Sequence, residues 1–481
     1  MSEFGDRISS AYATKGKAVG LGRGVVNGAT DQGAVVQLSA AMCNRHGLVA
    51  GATGTGKTKT LQLIAEQLSA MGVSVFAADM KGDLSGISLP GEHNDRVDGR
   101  VAELGVTWEP AARSVQFLAL GGQGKGVPVR ATISSFGPTL LAKVMDANDT
   151  QTSSLSLVFH YADDHQLGLL DLADLRAVLQ FLTSDDGKAD LKSLGGLSSA
   201  TAGVLLRKIV ELEDQGAEAF FGEPQLDVQD LIGTNADGTG IVSCLELPAV
   251  QDKPRLFSTF LLWLLAELFE TLPEVGDLDQ PKLVFFITQL PDDVPDEILA
   301  QLGNRIQHAL RAFTPRDAKA LKAAVTTYPK TDDYVLDEDL TKLGIGEAMI
   351  TTLSENGTPT PVVWTKLVPP TSKMAAVDGA AIEACAKALG IWSKYAEEID
   401  RQSARELLAA RVAGASTAPA AAPPAAAVAA DPSPSSSDSG SAVASAPKKD
   451  EDGTIAHYLK SREGRSMMNQ VARGVFDMLK R

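Results

Sequence analysis

The stretch from His46 to Asp83, HGLVAGATGTGKTKTLQLIAEQLSAMGVSVFAADMKGD, restricts the possible folds more than any other part of the chain. An apolar segment, Leu48 to Ala50, runs into Gly51–Thr58, GATGTGKT, which matches G-x-x-x-x-G-K-[ST] at every fixed position. Leu61, Ile64, Ala65 and Leu68 then fall on one face of a helix, and Val73 to Ala78 read as a second strand. Two strands joined by a helix imply a parallel sheet, so the fold class is α/β.

The glycine loop is suited to phosphate. Its glycines let the backbone wrap so that successive N–H groups point inward, and the helix that follows adds a favourable dipole. Lys57 is expected to reach the β- and γ-phosphates, and the Thr58 hydroxyl to ligate Mg²⁺. Gly51, Thr53, Gly54, Thr55, Gly56 and Lys59 complete the expected cradle. A chance match in a chain with 44 glycines is the competing reading, but the strand before and the helix after oppose it. Gly121–Gly126, GGQGKG, lacks both the spacing and the Ser/Thr, and reads as a turn.

Hydrolysis needs more than a cradle. A carboxylate at the carboxyl end of a neighbouring apolar strand must orient Mg²⁺ or the attacking water. Three strands are candidates: VSVFAAD ends at Asp79, GIVSCLE ends at Glu246, and KLVFF passes into Ile287, Thr288 and Gln289 without an acid. Asp292 and Asp293 follow Pro291 in a turn, and Glu246 reads as a surface residue at a strand end.

The 481 residues exceed what one core usually holds, predicting a large α/β domain with insertions, or two domains, plus tails. Cys43, Cys244 and Cys385 are far apart with no CxxC pair, and six histidines are scattered, which argues for reduced cytoplasmic thiols and against zinc. No signal peptide is visible. Leu256 to Leu268, LFSTFLLWLLAEL, is too short to span a bilayer and reads as a buried helix. A net charge of -16 opposes nonspecific nucleic-acid binding over the whole surface, though a basic channel in an oligomer is compatible with it.

Residues 1–45 read as N-terminal strands, 46–137 as the phosphate-binding half of the α/β domain, and 138–232 as a helical insertion. The second half spans 233–411, with strands at GIVSCLEL, KLVFFIT and TPVVWTKLV. Residues 412–453 form an Ala/Pro/Ser stretch expected to be a disordered tether. Within 454–481, Met467, Val471, Val475 and Leu479 mark a short amphipathic helix that docks on the chain itself or a partner, or lies on a membrane surface.

Together, CNRHGLVAGATGTGKTKTLQ, ADMKGDLSG, VPVRATISSFGPTLLAKV, QGAEAFFGEP, LPEVGDLDQPKLVFF and LGNRIQHALRAFTPRD resemble a bacterial family of HerA-like ATPases within the HerA/FtsK group. The resemblance covers about residues 40 to 410, and GRSMMNQVARGVFDMLKR resembles the family's terminal helix. It implies a RecA-like fold that binds and hydrolyses ATP, a ring, often hexameric, and DNA as a partner by analogy alone. It also implies that Gln289 is a polar sensor on the strand beside the phosphate-loop strand. Arg305 or Arg311, the latter preferred, would reach a neighbour's γ-phosphate.

The chain departs from the family at Lys282 to Gln289. There the family's KLVFF strand continues into an Asp-Glu-Ala-His motif, and a second apolar strand ending in Thr-Gln follows a few tens of residues later. Here one strand begins like the first and ends like the second, as if everything between were absent. Two outcomes follow for a sheet that loses one β-α unit: a strand moves to close the gap, or an edge stays unpaired. The expected activity is therefore either ATP hydrolysis by a HerA-like motor or ATP binding with impaired hydrolysis. A small-molecule kinase is a third reading, but no arginine-rich lid supports it.

Overall fold

The computed structural model describes residues 2–193, 195–273, 276, 278–287, 302–311 and 315–417. Helix α1 (Glu3–Ala11) opens the chain, so the expected N-terminal strands are preceded by a helix. Ser2 caps it by accepting from the Gly5 amide at 2.9 Å, and Phe4, Ile8 and Tyr12 carry its apolar face into the core. Strands β1 (Ala18–Val26) and β2 (Ala29–Ser39) form an antiparallel hairpin. Its turn places Asn27 and Gly28 at φ 51° and 76°, the left-handed pair that a two-residue hairpin favours.

Strand β3 (Gly47–Ala50), helix α2 (Lys57–Ala70) and strand β4 (Ser74–Asp79) make the βαβ unit. Helix α3 (Asp95–Leu104) and strands β5 (Val115–Leu120) and β6 (Val127–Val129) follow. The helical segment comprises a kinked α4 (Ile133–Val144), α5 (Asp149–Asp164), α6 (Leu172–Thr183), α7 (Lys188–Ser193) and α8 (Ser199–Asp214). Then come β7 (Val242–Glu246), α9 (Pro254–Thr271), β8 (Leu283–Ile287), β9 (Asn304–His308), α10 (Pro315–Thr326), α11 (Leu336–Lys342), β10 (Glu347–Thr351) and β11 (Val363–Leu367). Helices α12 (Gly379–Ala388), α13 (Trp392–Tyr395) and α14 (Ala404–Thr417) end the described chain. Helix α14 continues past residue 412, where the tether was expected to begin, because Ala-rich sequence also favours helix. The rest of the tether and the C-terminal amphipathic helix lie outside the described residues.

The α/β fold contains the parallel sheet that the βαβ unit requires, with strand order β6-β5-β7-β4-β8. Alternate residues of β4 face opposite cores: Val75 and Ala77 pack with α2, whereas Phe76 and Ala78 pack with the helices. Helix α9 belongs to that second core, with Phe260 and Trp263 buried. No helix among the described residues is long and apolar enough to cross a membrane.

Strand β3 does not join the parallel sheet. It ends a separate six-stranded sheet of order β2-β1-β11-β10-β9-β3, in which only β3 and β9 are parallel. The single RecA-like sheet expected from sequence is thus two sheets among the described residues, with β8 and β3 both at edges. Val49 of β3 and Val284 and Phe286 of β8 pack against one apolar cluster that includes Ile64, Ala65 and Leu68 of α2. The core is continuous where the backbone ladder is broken. Among the described residues, β3 and β8 each have a partner on one side.

Candidate nucleotide site

Between β3 and α2, the chain turns on three glycines at positive φ: Gly51 at 145°, Gly54 at 80° and Gly56 at 113°. Gly56 caps α2 without any side-chain hydrogen bond, so no side chain occupies the helix's amino-terminal donors. The Thr55 hydroxyl donates to the Ala52 carbonyl at 2.7 Å, which tightens the loop. The Lys57 ammonium donates to the Gly51 and Ala52 carbonyls at 2.8 and 2.9 Å. Burial and then Lys81 lower its pKa, so this ammonium is short of negative partners. Lys59 is likewise lowered by burial, while Asp83 and Asp79 oppose that shift. A glycine loop at a helix amino terminus with under-compensated cations is chemically matched to polyphosphate.

The far wall of the loop comes from β9, parallel to β3, with Ala50 opposite Gln307. His308 therefore stands level with Gly51, and a Cβ on Gly51 would lie 2.6 Å from the His308 Cβ. The histidine is fully buried, and its Nε2 is 2.8 Å from the Thr60 hydroxyl on α2. Burial and the nearby Lys57 push its pKa down to about 4, which leaves it neutral at ordinary pH. A charged ring there would repel Lys57. His308 and Thr60 thus fix the angle between β9 and the phosphate loop, a role that sequence reading missed. The only trace in the sequence is a polar run, NRIQH, with too little apolar alternation to announce a strand.

Two of the weighed carboxylates meet. Asp79 and Glu246 are paired neighbours at the ends of the parallel strands β4 and β7. Their oxygens and the Cys244 Sγ all lie within 4.8 Å of one another, and all three residues are buried. Glu246 is not the surface residue expected: β7 lies inside the sheet between β5 and β4, and Gly82 and Pro248 close over its end. Asp79 accepts from the amides of Lys81, Gly82 and Leu84 at 3.1, 2.9 and 2.7 Å, so it anchors the turn after β4. Glu246 receives a 3.4 Å contact from the Cys244 thiol. Burial, and then the charge of Asp79, raise the Glu246 pKa to about 7.

The remaining expected residues are dispersed. Thr58 is half-buried in the first turn of α2. Arg305 lies opposite Leu48, three residues back from His308 and so about 10 Å from the phosphate end at roughly 3.3 Å per residue. Its guanidinium donates to the Leu302 carbonyl at 3.2 Å. Arg311 is exposed in the segment after β9. Gln289, Asp292 and Asp293 lie outside the described residues, among which the strand beside β3 is β9.

Among solved structures, the chain is similar in fold to the first of the following. The bacterial conjugative coupling protein TrwBdeltaN70, in an unbound form, aligns over 78% of this chain and 94% of its own, at 14% identity and a TM-score of 0.50. The plasmid coupling protein TrwB in complex with ADP and Mg²⁺ aligns over 76% and 98%, at 14% identity and a TM-score of 0.48. VirB4 of Thermoanaerobacter pseudethanolicus aligns over 74% and 97%, at 13% identity and a TM-score of 0.41. No curated protein matches the sequence. The model of the family described as helicase HerA-like C-terminal matches residues 25–287 and again 284–479, and the two matches meet within β8. The chain belongs to the helicase HerA-like C-terminal family.

Proposed function

We propose that this chain binds ATP at Gly51–Thr58 and hydrolyses it weakly or not at all. The observation that carries this reading is the break between β8 and β3 beside an intact phosphate loop. Thr58 would ligate Mg²⁺, which would supply positive charge to the β- and γ-phosphates. Among the described residues, neither β8 nor β9 ends in a carboxylate: β9 closes on His308, and β8 is described to Ile287. The meeting of two family matches within β8 supports loss of the acid-bearing segment at that point. The test compares ATP binding and turnover in this chain and in Lys57→Ala. Binding that needs Lys57, without turnover above that variant, is the expected result. Lysine-dependent turnover at ordinary ATPase rates would sink the proposal.

Glu246 favours a second reading. A carboxyl with a pKa near 7, paired with Asp79 beside Lys59, is poised to exchange a proton at neutral pH. Turnover abolished by Glu246→Gln would transfer the acid's role to that residue. Family membership supports assembly into a ring that moves DNA. Salt-sensitive DNA binding and a nucleotide-dependent increase in native mass above 50.4 kDa are the measurements that bear on it.

A further inference from the structure

Beside the phosphate loop stands a short turn, Leu343 to Glu347, that holds an apolar side chain out into solvent. Ile345 is 76% exposed, the most exposed large apolar side chain among the described residues. Its backbone is held firmly in place. The Arg100 guanidinium donates to the carbonyls of Ile345 and Gly346 at 3.2 and 3.1 Å, and the Leu367 amide donates to Gly346 at 2.9 Å. Leu343 is buried with Leu340, Met349 and Val362, which anchors the turn's other end.

The turn also touches the phosphate loop. The Gly346 amide donates to the Thr55 carbonyl at 3.2 Å, and a Cβ on Gly56 would lie 3.3 Å from the Gly346 nitrogen. Gly346 has φ 73°, so a glycine is suited to both the close approach and the backbone. Leaving one isoleucine exposed is unremarkable on an ordinary surface, but here it is fixed by four hydrogen bonds to the turn and abuts a nucleotide cradle.

Direction selects what it would meet. On the proposed reading Lys57 serves the β- and γ-phosphates, and β3 is an edge strand among the described residues. On its other side stand β9 and β10, and the turn before β10 touches the phosphate loop, within reach of the nucleoside of a nucleotide bound there. We propose that Ile345, braced by Arg100 through the Gly346 turn, is the apolar platform for the base of a purine nucleoside triphosphate. The assignment rests on the phosphate-site reading above. An aliphatic platform contacts the face of a base and leaves its hydrogen-bonding edge free, so it contributes affinity rather than discrimination between purines.

The test measures MgATP and magnesium tripolyphosphate binding by titration calorimetry to the unsubstituted chain, Ile345→Asp and Ile345→Leu. Tripolyphosphate reads the cradle without a base. Loss of the platform is expected to weaken MgATP by about tenfold while tripolyphosphate changes by less than about twofold, and leucine restores ATP affinity. Unchanged ATP affinity in Ile345→Asp overturns the inference. Equal weakening of both ligands, with a fall in native mass, assigns Ile345 to a subunit contact and also overturns it. If the unsubstituted chain binds both ligands and the Asp variant loses ATP while keeping tripolyphosphate, the platform stands; if the unsubstituted chain binds neither ligand, the phosphate site itself is refuted and the platform with it.

Discussion

Glu246→Gln tests the buried acid pair through stability, independently of any nucleotide. In the folded chain the Glu246 carboxyl is 6% exposed and faces Asp79, and its pKa stands at about 7 against an ordinary 4.5. That difference favours the protonated side chain by about 3 kcal/mol. A carboxyl raised by folding binds its proton more tightly in the folded state. Its stabilising contribution is full below about pH 4.5 and is lost as pH rises to 7 and beyond. Asp79 is raised as well, chiefly by burial, and its ionisation strengthens the effect on Glu246. Glutamine resembles the neutral acid and carries no charge to desolvate. Urea unfolding from pH 5 to 8 should show the unsubstituted chain losing up to about 3 kcal/mol more than Glu246→Gln over that range. The variant should be the more stable of the two at pH 8. Parallel pH profiles for the two proteins would refute the reasoning, because they would mean that Glu246 titrates alike folded and unfolded.

Two further substitutions probe the frame of the site. Gly51→Ala places a Cβ 2.6 Å from that of His308 at φ 145°, and should lower stability by at least about 2 kcal/mol while weakening ATP binding, read by thermal unfolding and titration. Glu66 on α2 accepts from the amides of Thr371 and Ser372 at 2.7 and 3.1 Å and from the Ser372 hydroxyl at 2.7 Å. Glu66→Ala leaves those buried donors unmet and should cost about 3 kcal/mol in denaturant unfolding; a loss under 1 kcal/mol would show that water replaces the carboxylate.

Much of the fold was legible because its signals are local. Of the helical face, Ile64, Ala65 and Leu68 pack in one core with β4 and Leu61 is buried, and Val73 to Ala78 lie in β4 or lead into it. The Asn27-Gly28 turn is a local signal of the same kind, since two residues that tolerate positive φ suffice for a hairpin. Strands β9 and β10 were harder to see. NRIQH is polar because its buried Asn304 and His308 find hydrogen-bond partners elsewhere in the fold, at Met42 and at Thr60, while Gln307 bonds the neighbouring His308 carbonyl. Periodicity cannot reveal a polar residue that is satisfied from afar. Helix α1 was missed although Phe4, Ile8 and Tyr12 recur every fourth residue, because the rest of its short span is polar or small.

The sequence by itself determined the phosphate loop, since its glycines, Lys57 and Thr58 are defined by spacing within one turn of chain. It also marked the place where the acid-bearing strand fails, because Phe286 is followed by Ile287, Thr288 and Gln289 rather than carboxylates. Only the tertiary structure decided which strands pair. Register and edge pairing depend on strands from distant parts of the chain, and among the described residues they leave β3 and β8 at the edges of separate sheets. The same long-range packing brought Glu246 inward against Asp79 and set His308 behind Gly51. Burial is a property of the neighbours that arrive, and no window of sequence around Glu246 or His308 contains them.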